Sequence, residues 1–260
     1  MLKVRLIAVL ILREGQVVQS VRFKHTNVIH SDAVHAMEAF NKWAVDEIVI
    51  LNVSRSNNSC VEFAKIVDRI SAHCYVPLTV GGWIDSDDYA QMLLRSGADK
   101  LAINTAFLDD PKLVSRLAMK YGRQCIVASI DVKRNTSGES VVVVDRGSRL
   151  VACSPVVWSK KAVELGAGEI FLNSVDHDGA RKGYDLESIN NISHAVNVPV
   201  IAFGGVFNWG HLVEGVNAGA SAVAAANIFH YTEQSTRKAK SFLSEAGILV
   251  RSQGQKLTNA

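Results

Sequence analysis

The sequence predicts a closed α/β barrel, the (β/α)₈ or TIM barrel, and three observations carry that prediction. Eight short β-branched apolar runs alternate with eight amphipathic stretches of helical period. The runs are apolar at nearly every position, as parallel strands buried on both faces must be. The second half of the chain also repeats features of the first at about a half-barrel offset. A doubly wound open sheet is the structural alternative. Eight βα units in 260 residues fit one closed barrel domain spanning residues 1–260 better.

The predicted strands are Val4–Leu12, Glu47–Val53, Val76–Val80, Lys100–Asn104, Cys125–Val132, Glu169–Asn173, Val198–Phe203 and Ala222–Ala226. The first run opens like a secretory leader, with Lys3 and Arg5 near its start. Arg13, Glu14 and Gly15 follow it directly with no small-residue cleavage site, so it reads as a buried strand. The predicted helices are Asp32–Trp43, Cys60–Ser71, Ser86–Ser96, Pro111–Tyr121, Pro155–Leu165, Asp185–Ala195, Trp209–Ala218 and Thr232–Ala246. Asp32 can cap the first helix, and Asp110-Pro111 opens the fourth with proline at a first helical position. Gly97 and Gly219 end helices. Between strand five and its helix, Asn135–Val151 carries Ser-Gly, four successive valines and Arg-Gly, and reads as an inserted β-hairpin.

The half-barrel repeat is explicit. Val76–Gly82 ends in Gly81-Gly82 and leads through a helix to Gly97-Ala98 before the next strand. Val198–Gly205 ends in Gly204-Gly205 and leads to Gly219-Ala220 in the same way. Gly97 and Gly219 are 122 residues apart.

Composition narrows the function classes. With 48% hydrophobic and 20% charged residues the chain reads as an ordinary globular protein. A net charge of +3 is too small to argue for nucleic acid or a membrane surface. No apolar run reaches the ~18–20 residues of a membrane span. Cys60, Cys74, Cys125 and Cys153 show neither a CxxC pair nor metal-ligand spacing. They read as reduced thiols of a cytoplasmic protein, with no metal or organic cofactor implied.

In a (β/α)₈ barrel the chemistry sits at the C-terminal strand ends. Glycine pairs there let backbone approach a ligand closely, and N–H groups of the following segment can hold a phosphate. Gly82 with Asn104 and Thr105 makes one such site. Asp178 and Gly179, Gly204 and Gly205, and Ala226 and Asn227 make the other. Two opposed sites imply an elongated ligand with a phosphate at each end; tight βα turns alone are the alternative, which the repeat of the pairs at matching barrel positions disfavours. Asp131 ends an apolar strand, where a carboxylate is costly without partners or a task. Period-two alternation puts Val127, Ser129 and Asp131 on one face, so Asp131 points into the mouth if that face is inward and can act as acid or base. At the opposite end, Arg5, Glu47, Lys100 and Glu169 each start a strand. Two charges of each sign there suit a ring of ion pairs, which by position alone reads as stabilising.

Together these pieces resemble the cyclase subunit of imidazole glycerol phosphate synthase over nearly the whole chain. The resemblance rests on Leu78–Gly82, Gly97–Lys100, Ile103–Thr105, Ile130–Arg134, Gly166–Ile170, Asp176–Gly179, Gly183–Asp185, Gly204-Gly205 and Phe229-His230, in that order and at those spacings. It implies a glutaminase partner forming a heterodimer, ammonia delivered from that partner to the barrel bottom, and a ribotide-like ligand with two phosphates at the mouth. By the same resemblance Arg5, Glu47, Lys100 and Glu169 form the gate to an ammonia tunnel, and Asp99 faces the partner.

The departures are specific. The family uses two catalytic aspartates at opposite strand ends. Asp131 matches one, and Ile11 stands at the other. Gln19 replaces a lysine, Asn52 an aspartate, Asn173 a hydroxyl residue and Trp83 a third glycine, while Phe203 precedes the second glycine pair. Isoleucine cannot exchange a proton, so paired acid–base work is lost in its usual form. Glu14 lies just beyond strand one and reads as a solvated loop charge. His177 sits between Asp176 and Asp178, where the family tends to place another polar residue, and is not counted as a catalyst.

The scaffold therefore reads as kept and the mouth as rebuilt. The chain is expected to be an ammonia-using synthase subunit of the paralogous kind associated with acetamidino sugar modification of surface polysaccharide, feeding another amidating protein or a different acceptor. The alternatives are a genuine imidazole glycerol phosphate synthase cyclase, and a non-catalytic conduit that activates the glutaminase. An isomerase of a related bis-phosphate ribotide shares the half-barrel repeat, but the gate charges argue against it.

Overall fold

The computed structural model describes residues 3–42, 45–55, 60–230 and 235–251. The expected helix bounds at Trp43 and Thr232, and the expected domain ends at Met1 and Ala260, lie outside the described residues.

The chain starts with β1 (Arg5–Arg13), followed by β2 (Gln16–Val21), β3 (His25–His30) and α1 (Ala33–Lys42). Next come β4 (Glu47–Asn52), α2 (Cys60–Ser71), β5 (Leu78–Gly81), α3 (Asp87–Arg95) and β6 (Lys100–Ile103). The middle holds α4 (Ala106–Asp109), α5 (Pro111–Tyr121), β7 (Ile126–Arg134), β8 (Ser140–Val144), β9 (Arg149–Val151) and α6 (Pro155–Glu164). The last part is β10 (Glu169–Ser174), α7 (Leu186–Ser193), β11 (Val200–Phe203), α8 (Trp209–Asn217), β12 (Ala222–Ala225), α9 (Asn227–His230) and α10 (Ser235–Glu245).

Eight strands, β1, β4, β5, β6, β7, β10, β11 and β12, pair in parallel in that order. The β1–β12 pairing, with Arg5 opposite Ala222, closes the barrel. Alternation along each strand sorts the core into two shells. Ile7, Val9, Val49, Ala102, Val127, Phe171, Ile201 and Ala224 fill the barrel interior. Leu6, Leu10, Ile48, Val80, Leu101, Ile130 and Val200 face outward, among the residues packed with the helices.

The helix signals act as expected. Asp32 accepts from the Val34 N–H at 2.9 Å, and the Asp110 carboxylate from the Leu113 N–H at 3.0 Å. Gly97 and Gly219 follow their helices with φ of 100° and 107°. Two strand starts share a further device. The Asp46 N–H donates to the Leu6 carbonyl, and its carboxylate accepts from the Leu6 N–H at 2.8 Å. Asp99 does the same with Leu78, its carboxylate again at 2.8 Å. Both aspartates thus serve backbone groups that would otherwise be left at a strand end.

Two hairpins rise above the mouth. In the first, β2 pairs antiparallel with β1 and β3. Its polar residues read as a loop, because the turn at Arg22-Phe23 lacks the usual signal. Both residues have φ above 50°, and Lys24 N–H donates to the Val21 carbonyl, which is type I′ geometry normally supplied by Asn-Gly. In the second, β8 and β9 extend β7 as an antiparallel ribbon. Asp145-Arg146 make the same type of turn, closed by the Gly147 N–H on the Val144 carbonyl.

Candidate active site

The mouth holds Asp131, buried with 7% of its surface exposed. It sits near the end of β7, with Val127 two turns of the pleat below it inside the barrel. Two amides hold its carboxylate: Asn173 Nδ2 donates to Oδ1 and Asn104 Nδ2 to Oδ2, both at 3.1 Å. The proton is held tightly, and the group titrates at about 7. Burial is the largest cause; the Asn173 N–H opposes it, the Asp178 charge adds to it, and the Asn104 N–H opposes it. A carboxyl titrating there can give or take a proton near neutral pH.

The linkage sign follows. The folded state holds this proton more tightly than the unfolded chain, whose ordinary value is 3.8. The stability it contributes is complete below about pH 4, is lost as pH rises, and levels off above about 7. Asp131→Asn removes this dependence. The stability of the variant relative to the parent is expected to grow by about 3 kcal/mol between pH 5 and pH 8 in urea titrations. A difference independent of pH would overturn the assignment.

Two adjacent cavities open at the mouth, and this carboxyl lines the larger. The larger, about 520 Å³, is lined by Ile11, Asn52, Gly82, Trp83, Asn104, Thr105, Asp131, Asn173 and Arg146 among others. The smaller, about 190 Å³, is lined by Gln19, Asp178, Gly179, Arg181, Gly204, Gly205, Ala226 and Asn227 among others. Asp178 and Phe203 border both. Every residue expected at the two glycine-rich sites therefore lines one of two adjacent cavities.

The individual roles are less uniform than the spacing implies. Asn104 spends its amide N–H groups on the Ser129 carbonyl at 2.9 Å and on Asp131, so its side chain positions the carboxyl. The Asp178 carboxylate accepts from Ser20 Oγ at 2.6 Å and faces the Phe23 N–H at 3.4 Å, fastening the β2–β3 hairpin to the second cavity. Burial raises its pKa, against hydrogen bonds from Ser20, Phe23 and Arg22. Buried polar atoms without hydrogen-bond partners among the described residues include Asn52 Nδ2, Asn173 Oδ1 and Asn227 Oδ1, and these three residues line the cavities. Such atoms cost free energy unless a ligand or water meets them.

The glycines are needed for space. Gly205 has φ 95°, and a Cβ there would collide with the Gly183 carbonyl oxygen and approach His177 Cβ. Gly205→Ala is expected to cost roughly 2 kcal/mol or more, from left-handed backbone and displaced main chain together. Chemical denaturation measures this; a loss under about 0.5 kcal/mol would show that the loop yields freely. His177 is structural, its Nδ1 lying 2.8 Å from the Gly183 carbonyl oxygen.

The positions expected to depart from the family lie at the mouth. Ile11 and Phe203 are 6% and 5% exposed and belong to the apolar interior cluster. Phe203 packs on Phe171 with ring centres 5.0 Å apart. Asn52 Oδ1 accepts from the Ser54 N–H at 3.1 Å. Trp83 adopts φ 59°, a region that favours glycine, and donates from Nε1 to the Ser54 carbonyl at 3.0 Å. Glu14 is exposed on the turn after β1.

At the bottom the four strand-start charges close a ring. Arg5 reaches Glu47 at 2.6 Å and Glu169 at 3.1 Å; Lys100 reaches Glu169 at 2.9 Å and Glu47 at 3.3 Å. Burial works against the Arg5 charge, and Glu169 and Glu47 outweigh it, holding its pKa above the ordinary value. Asp99 immediately precedes Lys100 and is exposed.

Sequence reading overlooked Ser20, Arg146 and Arg181. Ser20 stood in an apparent loop, and the two arginines sat in turn-like stretches with no spacing signal. Among the described residues no group of three or more His, Cys, Asp or Glu is placed to hold a metal, and no helix is long and apolar enough to cross a membrane.

The closed barrel, with a buried carboxyl in the larger of two adjacent glycine-walled cavities at its mouth, defines an enzyme of the (β/α)₈ class. The histidine biosynthesis protein family model matches residues 5–235. Imidazole glycerol phosphate synthase subunit HisF of Chlorobium luteolum is 41% identical over 96% of this chain and 100% of its own length. The subunits of Mycobacteroides abscessus (39%, covering 95% and 98%) and Pelodictyon phaeoclathratiforme (40%, covering 96% and 100%) are similarly related. The chain belongs to this family, as a cyclase of the HisF kind.

Proposed function

We propose that this chain is the ammonia-using, cyclase-type subunit of a glutamine amidotransferase whose mouth has diverged from imidazole glycerol phosphate synthesis. Ile11 carries the reading. It occupies strand one, across the eight-stranded barrel from Asp131 on strand five, where paired proton transfer needs a second carboxyl. The bottom, by contrast, retains all four charges of the ring.

On this reading a glutaminase subunit docks against the bottom face, beside Asp99, in a cytoplasmic heterodimer. Ammonia enters through the ring, and the Lys100–Glu47 contact, the longest of the four, is the first to give way. The mouth takes a phosphorylated ribotide-like molecule, one phosphate in each cavity. The ammonia serves acetamidino modification of a surface polysaccharide sugar, through a third, amidating protein.

A second reading, a working cyclase of histidine biosynthesis, is favoured by Asp131 itself, because a single carboxyl titrating at about 7 is able both to donate and to accept a proton. One assay separates the two. The purified chain is given an ammonium salt and the formimino bis-phosphate ribotide, and imidazole glycerol phosphate is measured. Bound ribotide without useful product is the expected result. Rapid product formation, abolished by Asp131→Asn, would overturn the divergent reading and establish the second. Ribotide that binds without turnover yet stimulates the glutaminase would instead identify an activating conduit.

A further inference from the structure

We infer that Arg146 and Arg181 are the cationic halves of two phosphate clamps, each poised over its cavity by the aromatic ring that follows that cavity's glycine pair. The inference rests on the phosphate-site reading above and names the side chains that complete it.

The two arrangements are parallel although they come from different loops. Trp83 directly follows Gly81-Gly82, and the Arg146 guanidinium lies 5.3 Å from its ring centre. Phe207 stands two residues after Gly204-Gly205, and the Arg181 guanidinium lies 4.9 Å from its ring centre. Arg146 and Trp83 line the larger cavity; Arg181 and Phe207 line the smaller. Both arginines hold left-handed backbone, φ 57° and 60°, which L side chains rarely adopt. Both arginines come from the second half of the chain, yet each cavity has a cation on an aromatic face beside a glycine-walled space.

The chemistry suits a phosphomonoester. A ring contacts the face of a guanidinium and leaves its N–H edges free, and those edges match two phosphate oxygens. Neither glycine-lined wall supplies a full positive charge, so a dianion needs one from elsewhere. Arg13, Lys24, Arg55 and Arg149 also line the larger cavity. Asp109 holds Arg149 through both nitrogens at 2.7 and 2.8 Å, Arg13 donates to Thr26 Oγ1 at 2.8 Å, and Arg146 is set apart by its place on the Trp83 ring beside the glycine pair. The competing contacts of Arg146 are weaker: Asp145 at 3.2 Å on an exposed turn, and the Arg55 carbonyl at 3.5 Å. The implied ligand is elongated, with one phosphate at each end.

Phosphorus NMR of the formimino bis-phosphate ribotide, titrated with the full chain, tests this, because each phosphorus reports one cavity. Arg146→Met is expected to remove the bound shift of one resonance and Arg181→Met that of the other, each weakening binding about 10-fold. Trp83→Leu and Phe207→Leu, which keep the charge but remove the platform, are expected to weaken it about 3-fold. Thr105→Asp and Asn227→Asp place a carboxylate in each cavity and serve as controls. If these controls abolish binding while the arginine variants bind like the parent, the phosphate sites stand and the clamps do not. If the parent shifts neither resonance, both readings fall.

Discussion

Ile11→Asp is expected to raise imidazole glycerol phosphate formation from ammonium and the formimino ribotide by roughly 10²–10⁴-fold, the range a positioned proton-transfer group supplies. The geometry for the pair is otherwise in place. Asp131 already titrates at about 7 between two amides, and position 11 lines the same cavity from the opposite strand. The substitution has a cost. Leu51 and Phe203 also line this wall of the cavity, so the new carboxyl will be desolvated and its pKa raised. A stability loss of about 2 kcal/mol at pH 8, shrinking as pH falls, should accompany the gain in rate. Ile11→Asp combined with Asp131→Asn should return the rate to baseline. If Ile11→Asp binds ribotide but stays inactive, position 11 is not what separates this mouth from a working cyclase.

Lys100→Met carries the second large effect, at the other end of the barrel. The ring balances two cations against two carboxylates, all largely buried. Removing one cation leaves Glu47 and Glu169 sharing Arg5 alone. A fully buried broken pair costs about 3–5 kcal/mol; with the ring's partial exposure we expect about 2 kcal/mol, or roughly 5 °C in melting temperature. The functional effect should be selective. Turnover driven by glutamine through the partner should fall about tenfold or more, while free ammonium added at the mouth remains as effective as in the parent. Equal loss with both ammonia sources would show that the ring acts through stability alone.

The two ends of the molecule therefore answer to different chemistry. The bottom retains a complete charge ring and two strand-start aspartates that tie down backbone. The mouth combines a proton-holding carboxyl with the apolar residues Ile11 and Phe203 and the amides Asn52, Asn104 and Asn173. Ile11 and Phe203 extend the barrel's own apolar interior to the wall of the larger cavity without disturbing the strands beneath.

The barrel was legible in the chain because its signals are local. Parallel strands covered on both faces must be apolar throughout, and helices need caps and glycine stops, so Glu47, Asp110, Gly97 and Gly219 marked element ends with little help from distant residues. The closing charges were visible as residues, since a strand start carrying Arg5 or Lys100 is conspicuous in an apolar run. The β2–β3 hairpin was not, because Arg22-Phe23 adopts a turn that its side chains do not favour, and pairing with β1 and attachment to Asp178 hold it there. Nor did spacing reveal that Asn104 serves Asp131, or that Asp178 fastens a hairpin. Those roles depend on which lone pairs and N–H groups meet across the mouth. The sequence by itself determined the alternation, the caps and the strand-end chemistry. Only the tertiary structure decided the pKa of Asp131, the closure of the ring and the placing of Arg146 and Arg181 over aromatic rings. Burial, ion pairing and cation–π contact are relations between residues far apart in the chain, and closing the barrel is what creates them.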